Sequence, residues 1–248
     1  MSRVVVITGA GAGLGRALAR GLAGDGDTVV LLGRTRAKVA DLADEIGPRA
    51  LALQCDVSST ESVRAAFAAI EKAHPRVDVL INNAAVYQPF LVADATDAQI
   101  LQTIGTNLTG AILCARAAIP LLGPGGHILN VGSEAVEMTF PHLVLYQASK
   151  AGLERFSLGL HEELETQGIK VTMVRAGSMF EEGKTWDVDP EARMRFAQAA
   201  MGVGIDLRAR PRSHYDAIVD VFRGLLDMPA SVQAGLVTLR ARTPEQLG

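Results

Sequence analysis

Cysteine is nearly absent from this chain. Only Cys55 and Cys114 occur in 248 residues, in apolar surroundings and without metal-ligand spacing. That excludes a disulfide scaffold and reads as two reduced core residues of a cytosolic protein. His127, His142 and His161 form no H-E-x-x-H or paired-cysteine pattern, so no catalytic metal is expected. No block of lysine or arginine is long enough for a nucleic-acid or membrane footprint, and the net charge is only −3 with a pI near 6.0. No uninterrupted apolar stretch approaches the roughly 20 residues of a membrane span. Met1 runs within two residues into a strand pattern, which leaves no room for a signal peptide. The expectation is a cytoplasmic protein with small-molecule partners, no nucleic acid and no membrane. At 48% apolar and 21% charged the composition is far from that of disorder. With neither repeat nor linker visible, residues 1–248 are expected to form one domain.

Four continuous apolar runs, Val4 to Ile7, Thr28 to Leu32, Ala50 to Gln54 and Val77 to Ile81, read as strands buried on both faces of a parallel sheet. Helical patterns alternate with them over Leu14 to Leu22, Ala37 to Ile46 and Thr60 to Ala73, the last capped by Ser59 or Ser58. A helix over Asp97 to Leu122, a strand His127 to Val131, a helix Gln147 to Gln167 and a strand Lys170 to Val174 continue the rhythm. From Met179 to Arg212 the pattern breaks, with a short helix opening where Asp189 caps and Pro190 takes the first position. A helix Tyr215 to Leu226 and a strand Leu236 to Leu239 close the chain. The predicted class is α/β, a Rossmann-like doubly wound parallel sheet of about seven strands with helices on both faces. Residues 178–212 are expected to be a variable lid over the site.

The stretch VVVITGAGAGLG places glycines at 9, 11, 13 and 15 directly behind the first strand. Backbone N–H groups at a helix start can face a pyrophosphate only where side chains do not intervene. The G-x-G-x-x-G fingerprint fails in both registers, ending on Leu14 counted from Gly9 and on Arg16 counted from Gly11. The spacing that fits is T-G-x-x-x-G-x-G through Gly9, Gly13 and Gly15.

With that spacing the chain resembles the short-chain dehydrogenase/reductase family, and three later segments extend the likeness over about residues 4–177. INNAA is similar to the family's N-N-A-G motif, with Ala85 in place of glycine. YQASK carries Tyr146 and Lys150 in Y-x-x-x-K spacing, with Ser133 thirteen residues earlier at a strand end. Asn107, in GTNLTG, corresponds to the asparagine that completes the family's Asn-Ser-Tyr-Lys tetrad. The resemblance implies a nicotinamide cofactor on Gly9, Gly11, Ala12, Gly13, Leu14 and Gly15, with Asp56 and Val57 beside the adenine. It further implies Asn83, Ala84 and Ala85 along the cofactor and Gly177 near the nicotinamide, where Ala176 stands in place of the family's proline.

Tyr146 and Lys150 are four apart on a helix and share one face. A nearby ammonium favours phenolate, so Tyr146 is expected to titrate below its free value and to act as general acid or base toward a ketone, aldehyde or alcohol. Ser133 would hold the same oxygen. By resemblance, Lys150 also binds the nicotinamide ribose and Asn107 holds a water in a proton relay.

No acidic residue stands at the tip of the second strand. Arg34 and Thr35 follow Gly33 there, which points to NADP(H), with NAD(H) as the alternative. The expected activity is carbonyl reduction of a hydrophobic or aromatic substrate. The alternatives are an NAD-dependent alcohol or dihydrodiol dehydrogenase, and a non-catalytic NADP(H)-binding regulatory protein. Tyr87, Glu134, Phe140, Leu143, Met179, Phe180 and Trp186 are pocket or core residues. Arg208, Arg210 and Arg212 bind an acidic group or sit in solvent. By resemblance, the two long helices after the fourth strand pair between copies in a homodimer or homotetramer.

Overall fold

The structure is a computed structural model that describes residues 2–183, 186 and 188–242. Strand β1 (Val4–Thr8) leads into helix α1 (Gly13–Gly24). Then follow β2 (Thr28–Gly33), α2 (Arg36–Ile46), β3 (Ala50–Gln54), α3 (Thr60–Ala73) and β4 (Val77–Asn82). Helix α4 (Asp97–Ile104) passes through a π-helical turn, Gly105–Thr109, into α5 (Gly110–Ala118). Strand β5 (Leu122–Ser133), helix α6 (Val144–Leu164) and strand β6 (Lys170–Ala176) complete the second half. Beyond lie the two-residue strand β7 (Met179–Phe180), helix α7 (Pro190–Gly202), the two-residue strand β8 (Ser213–His214), helix α8 (Tyr215–Leu226) and the edge strand β9 (Leu236–Thr238).

Seven strands pair in parallel in the order β3-β2-β1-β4-β5-β6-β9. The chain leaves β1 outward to β2 and β3, then crosses back to β4 on β1's other side. That reversal opens a crevice at the strands' carboxyl ends. The continuous apolar runs are explained by burial on both faces. Val5 and Ile7 of β1 pack with Leu18, Leu22 and Phe222 from α1 and α8, whereas Val6 packs with Phe67, Ile70 and Leu160 from α3 and α6.

Three boundaries depart from the sequence reading. The Asp97 to Leu122 helix is interrupted by the π-helical turn around Asn107. Taken through its final turn at Leu121 it measures 25 residues with mean hydropathy 1.3, long and apolar enough by composition to cross a membrane, contrary to expectation. Here its buried positions, among them Cys114, Ala115 and Ala118, belong to the core beside α3 and β4. Helix α6 begins at Val144 rather than Gln147, which draws Tyr146 into its first turn. Strand β5 starts five residues early, through an irregular register between Val77 and Val79.

Segment 178–212 is stapled at its ends by the parallel β7–β8 pair. The expected helix is α7, and Asp189 caps it by accepting from the Ala192 N–H at 2.8 Å. Lys184, Thr185 and Asp187 of this segment, like Met1 and 243–248, lie outside the described residues.

His127 is buried in β5, its Nε2 2.8 Å from the Thr172 hydroxyl of β6. Burial, with help from Lys170, pushes its pKa down to about 3. The unfolded chain therefore binds a proton below about pH 6.5 that the folded chain refuses. Stability is held above that pH and falls as pH drops from 6.5 toward 3. His127→Gln should flatten this slope in urea titrations over that range, and an unchanged slope would assign the acid sensitivity to other groups.

Candidate active site

The glycine turn is shaped by how closely it meets the end of β4. Gly9 has φ +67°, and a Cβ on it would stand 2.9 Å from the Ala84 Cα. A Cβ on Gly15 would lie 2.5 Å from both Asn83 Nδ2 and the Gly9 oxygen, while Gly13 needs φ +53°. Thr8 joins the two strand ends: its hydroxyl accepts from the N–H groups of Asn83 and Ala84, each at 3.0 Å. Asn83 Nδ2 donates to the Thr8 oxygen at 3.0 Å. Asn83 thus shapes the turn. Thr8 was missed as a site residue, although it is the T of the glycine motif. Ala12 is exposed in extended backbone before α1, Leu14 is core, and Gly11 faces Lys38.

A cleft of about 140 Å³ gathers Gly9, Arg34, Asp56, Val57, Ala84 and Ala85. Arg34 and Thr35 are exposed at the β2 tip, and the Asp56 carboxylate accepts from the Ser58 N–H and hydroxyl at 3.0 and 2.7 Å. Gly177 follows β6, where a Cβ would meet the Leu239 oxygen at 2.6 Å.

Farther along the strands' carboxyl ends, β5 ends on Ser133, whose hydroxyl accepts from the Ala135 N–H at 3.1 Å and whose side chain favours the phenolate of Tyr146. Lys150, one turn on along α6, is buried and donates to the Val131 oxygen at 2.8 Å. Burial lowers its pKa to about 8. The downward pull on Tyr146 expected from Lys150 together with a nicotinamide cation is not seen in the protein alone. The ammonium is engaged by Val131 and lies 6.0 Å from the phenol ring centroid, while burial raises Tyr146 and only Ser133 opposes it. Asn107 sits in the π-helical turn. Its Oδ1 accepts from Val86 N–H at 2.7 Å, and its Nδ2 donates to the Val86 oxygen at 3.0 Å and to Ser149 Oγ at 3.1 Å. Its side-chain amide thus holds the chain after β4.

Aromatic rings cover the phenol. Tyr87 meets Tyr146 edge-on at 4.8 Å and stacks on Trp186 at 4.5 Å, and Trp186 Nε1 donates to the Tyr87 oxygen at 3.0 Å. Phe140 and Leu143 are buried beside them with Phe196 of α7. Met179 and Phe180, expected in the same pocket, pack elsewhere: Met179 against the α1–α8 core and Phe180 against His214 and Arg212.

The short chain dehydrogenase family model matches residues 3–184. The chain belongs to that family. Among its relatives, carbonyl reductase family member 4 of Danio rerio is 36% identical over 71% of this chain and 76% of its own. A D-xylose 1-dehydrogenase of Caulobacter vibrioides is 34% identical over 80% and 81%. A short chain dehydrogenase of Burkholderia cenocepacia, solved in complex with NADP, superposes with TM-score 0.79 at 28% identity over 96% of each chain. The fold and chemistry are those of a family oxidoreductase acting between alcohols and carbonyls. A carbonyl reductase and a sugar dehydrogenase at nearly equal identity leave the substrate to the pocket.

The depressed lysine has a thermodynamic signature. Between about pH 8 and 10.5 the unfolded chain keeps a proton on Lys150 that the folded chain has released, so stability gains with rising pH there. Relative to Lys150→Met, the wild type should gain on the order of 3 kcal/mol across that window. Parallel pH–stability curves for the two proteins would place the titration elsewhere.

Proposed function

We propose that this oxidoreductase uses NADP(H) to interconvert a hydrophobic or aromatic carbonyl compound and its alcohol, with Tyr146 as proton donor and acceptor. The observation that carries the reading is the placement of Ser133, at the end of β5, and Tyr146, in the first turn of α6, on the same carboxyl-end side of the parallel sheet as the glycine turn. Gly9 and Gly15 are required by the close approach of Ala84 and Asn83, and the turn ahead of α1, free of large side chains at residues 9–13, leaves backbone N–H groups able to face a pyrophosphate. When bound, the dinucleotide supplies or accepts the hydride. Arg34 and Thr35, exposed at the β2 tip with no carboxylate beside them in sequence, would take the 2′-phosphate. The NADP complex of the Burkholderia relative is in keeping with this choice.

Ser133 holds the substrate oxygen through its hydroxyl, and Tyr146 moves a proton at its phenol oxygen to or from that same atom. Burial keeps the phenol protonated, which suits donation to a ketone or aldehyde. Lys150, held by the Val131 oxygen one turn from Tyr146, would bind the nicotinamide ribose, and Asn107 positions the strand-end chain through Val86. Tyr87, Phe140 and Trp186 offer apolar rings to the substrate and exclude water, with 178–212 as the lid that brings Trp186 into place. Leu101, Ile112 and Leu158, exposed on α4, α5 and α6, support pairing of these helices between two copies.

Tyr146→Phe should keep NADPH binding while carbonyl reduction falls by about 10²- to 10⁴-fold; turnover at the wild-type level would remove Tyr146 from the chemistry. Arg34→Asp should lower the NADPH-to-NADH ratio of kcat/KM by about tenfold or more. An unmoved ratio would return cofactor choice to other residues.

A further inference from the structure

Arg210 lies on the returning limb of the 178–212 segment, yet its guanidinium is turned inward. Nη2 donates to Oε1 of Glu134, the residue directly after Ser133, and the two side chains are only 22% and 14% exposed. The guanidinium carbon lies 5.6 Å from the Phe140 ring centroid. Its charge also reaches Tyr87, the ring that meets Tyr146 edge-on, and pulls that phenol's pKa down against burial. Among the described residues Nη1 finds only the Met138 sulfur, at 2.9 Å. A thioether is a weak acceptor, so one edge of a partly buried cation beside the reaction centre is poorly satisfied. Arg175 and Arg240 nearby are matched by Glu137 and Glu154, so they leave the local balance neutral.

We propose that the Arg210–Glu134 pair is a specificity element: the Nη1 edge hydrogen-bonds a second, neutral oxygen of the substrate, such as an ester, amide or keto oxygen, while Glu134 disfavours carboxylates. A neutral oxygen replacing the sulfur forms a charge-assisted hydrogen bond and adds no charge to a balanced site. A carboxylate brings an uncompensated negative charge beside Glu134 into a partly desolvated pocket. The inference rests on Tyr146 being the reaction centre. It assigns to Arg210 a role that neither a solvated loop nor an anion anchor would have.

Trp186, the chain's single tryptophan, stacks on Tyr87 and reports ligand entry without turnover. Its fluorescence should be titrated, with NADPH present, using methyl 4-acetylbenzoate, 4-acetylbenzoate and 4-methylacetophenone. The ester should bind about tenfold or more tighter than either other ligand. Glu134→Gln should move the acid-to-ester preference about tenfold toward the acid by leaving Arg210 unbalanced. Arg210→Gln should erase the ester's advantage over 4-methylacetophenone, whereas Arg208→Gln, at an exposed position, should leave the order unchanged. Equal binding of the three, no binding of any, preference for the acid in the wild type, or an unaltered order in Glu134→Gln would each overturn the proposal. Failure of the reductase reading would instead appear as absent NADPH oxidation with this binding order intact.

Discussion

The site depends on the contact between the ends of β1 and β4, where Thr8 takes the N–H groups of Asn83 and Ala84 and Asn83 returns a bond to the Thr8 oxygen. This clasp lies at the sheet's switch point, and it sets how near the glycine turn may come to the chain leaving β4. Backbone at 2.9 Å from a would-be Gly9 Cβ leaves no room for any other residue. The same chain then runs to Val86, which Asn107 seizes on both its N–H and its oxygen, and to Tyr87, which lies against Tyr146. One clasp therefore connects the glycine turn to the surroundings of Tyr146.

Burial governs the electrostatics of the reacting end. It raises the Tyr146 phenol and lowers the Lys150 ammonium to about 8, so both groups are driven toward their neutral forms. The contribution that favours phenolate comes from Ser133, the last residue of β5. A dry crevice strengthens each polar contact within it and makes each unbalanced charge costly. The Arg210–Glu134 pair obeys the same rule, two charges brought in together from the 178–212 segment and a strand end.

Much of the architecture was legible because a parallel sheet covered on both faces demands continuous apolar strands, and glycine-rich turns announce themselves by composition. The rhythm of strands and helices through Val174 and the glycine turn followed from local pattern, whereas Asp56, Val57, Ala84 and Ala85 were placed along the cofactor by family resemblance. Helix interruptions did not. The π-helical turn at Gly105–Thr109 is invisible in hydropathy, because one extra residue in a turn leaves the apolar content unchanged. The partners of polar side chains were also out of reach: Asn107 is committed to Val86, and Lys150 to Val131.

From its sequence alone the chain determines its class, its element order and the residue types at each strand end, since these depend on periodicity, on φ tolerance and on spacing along one helix. Tertiary structure decides which distant groups meet. Thr8 becomes a clasp, Phe180 leaves the pocket that Trp186 enters, and Arg210 turns from solvent to Glu134. Each outcome rests on packing and desolvation between segments up to about a hundred residues apart, and no local pattern encodes these terms.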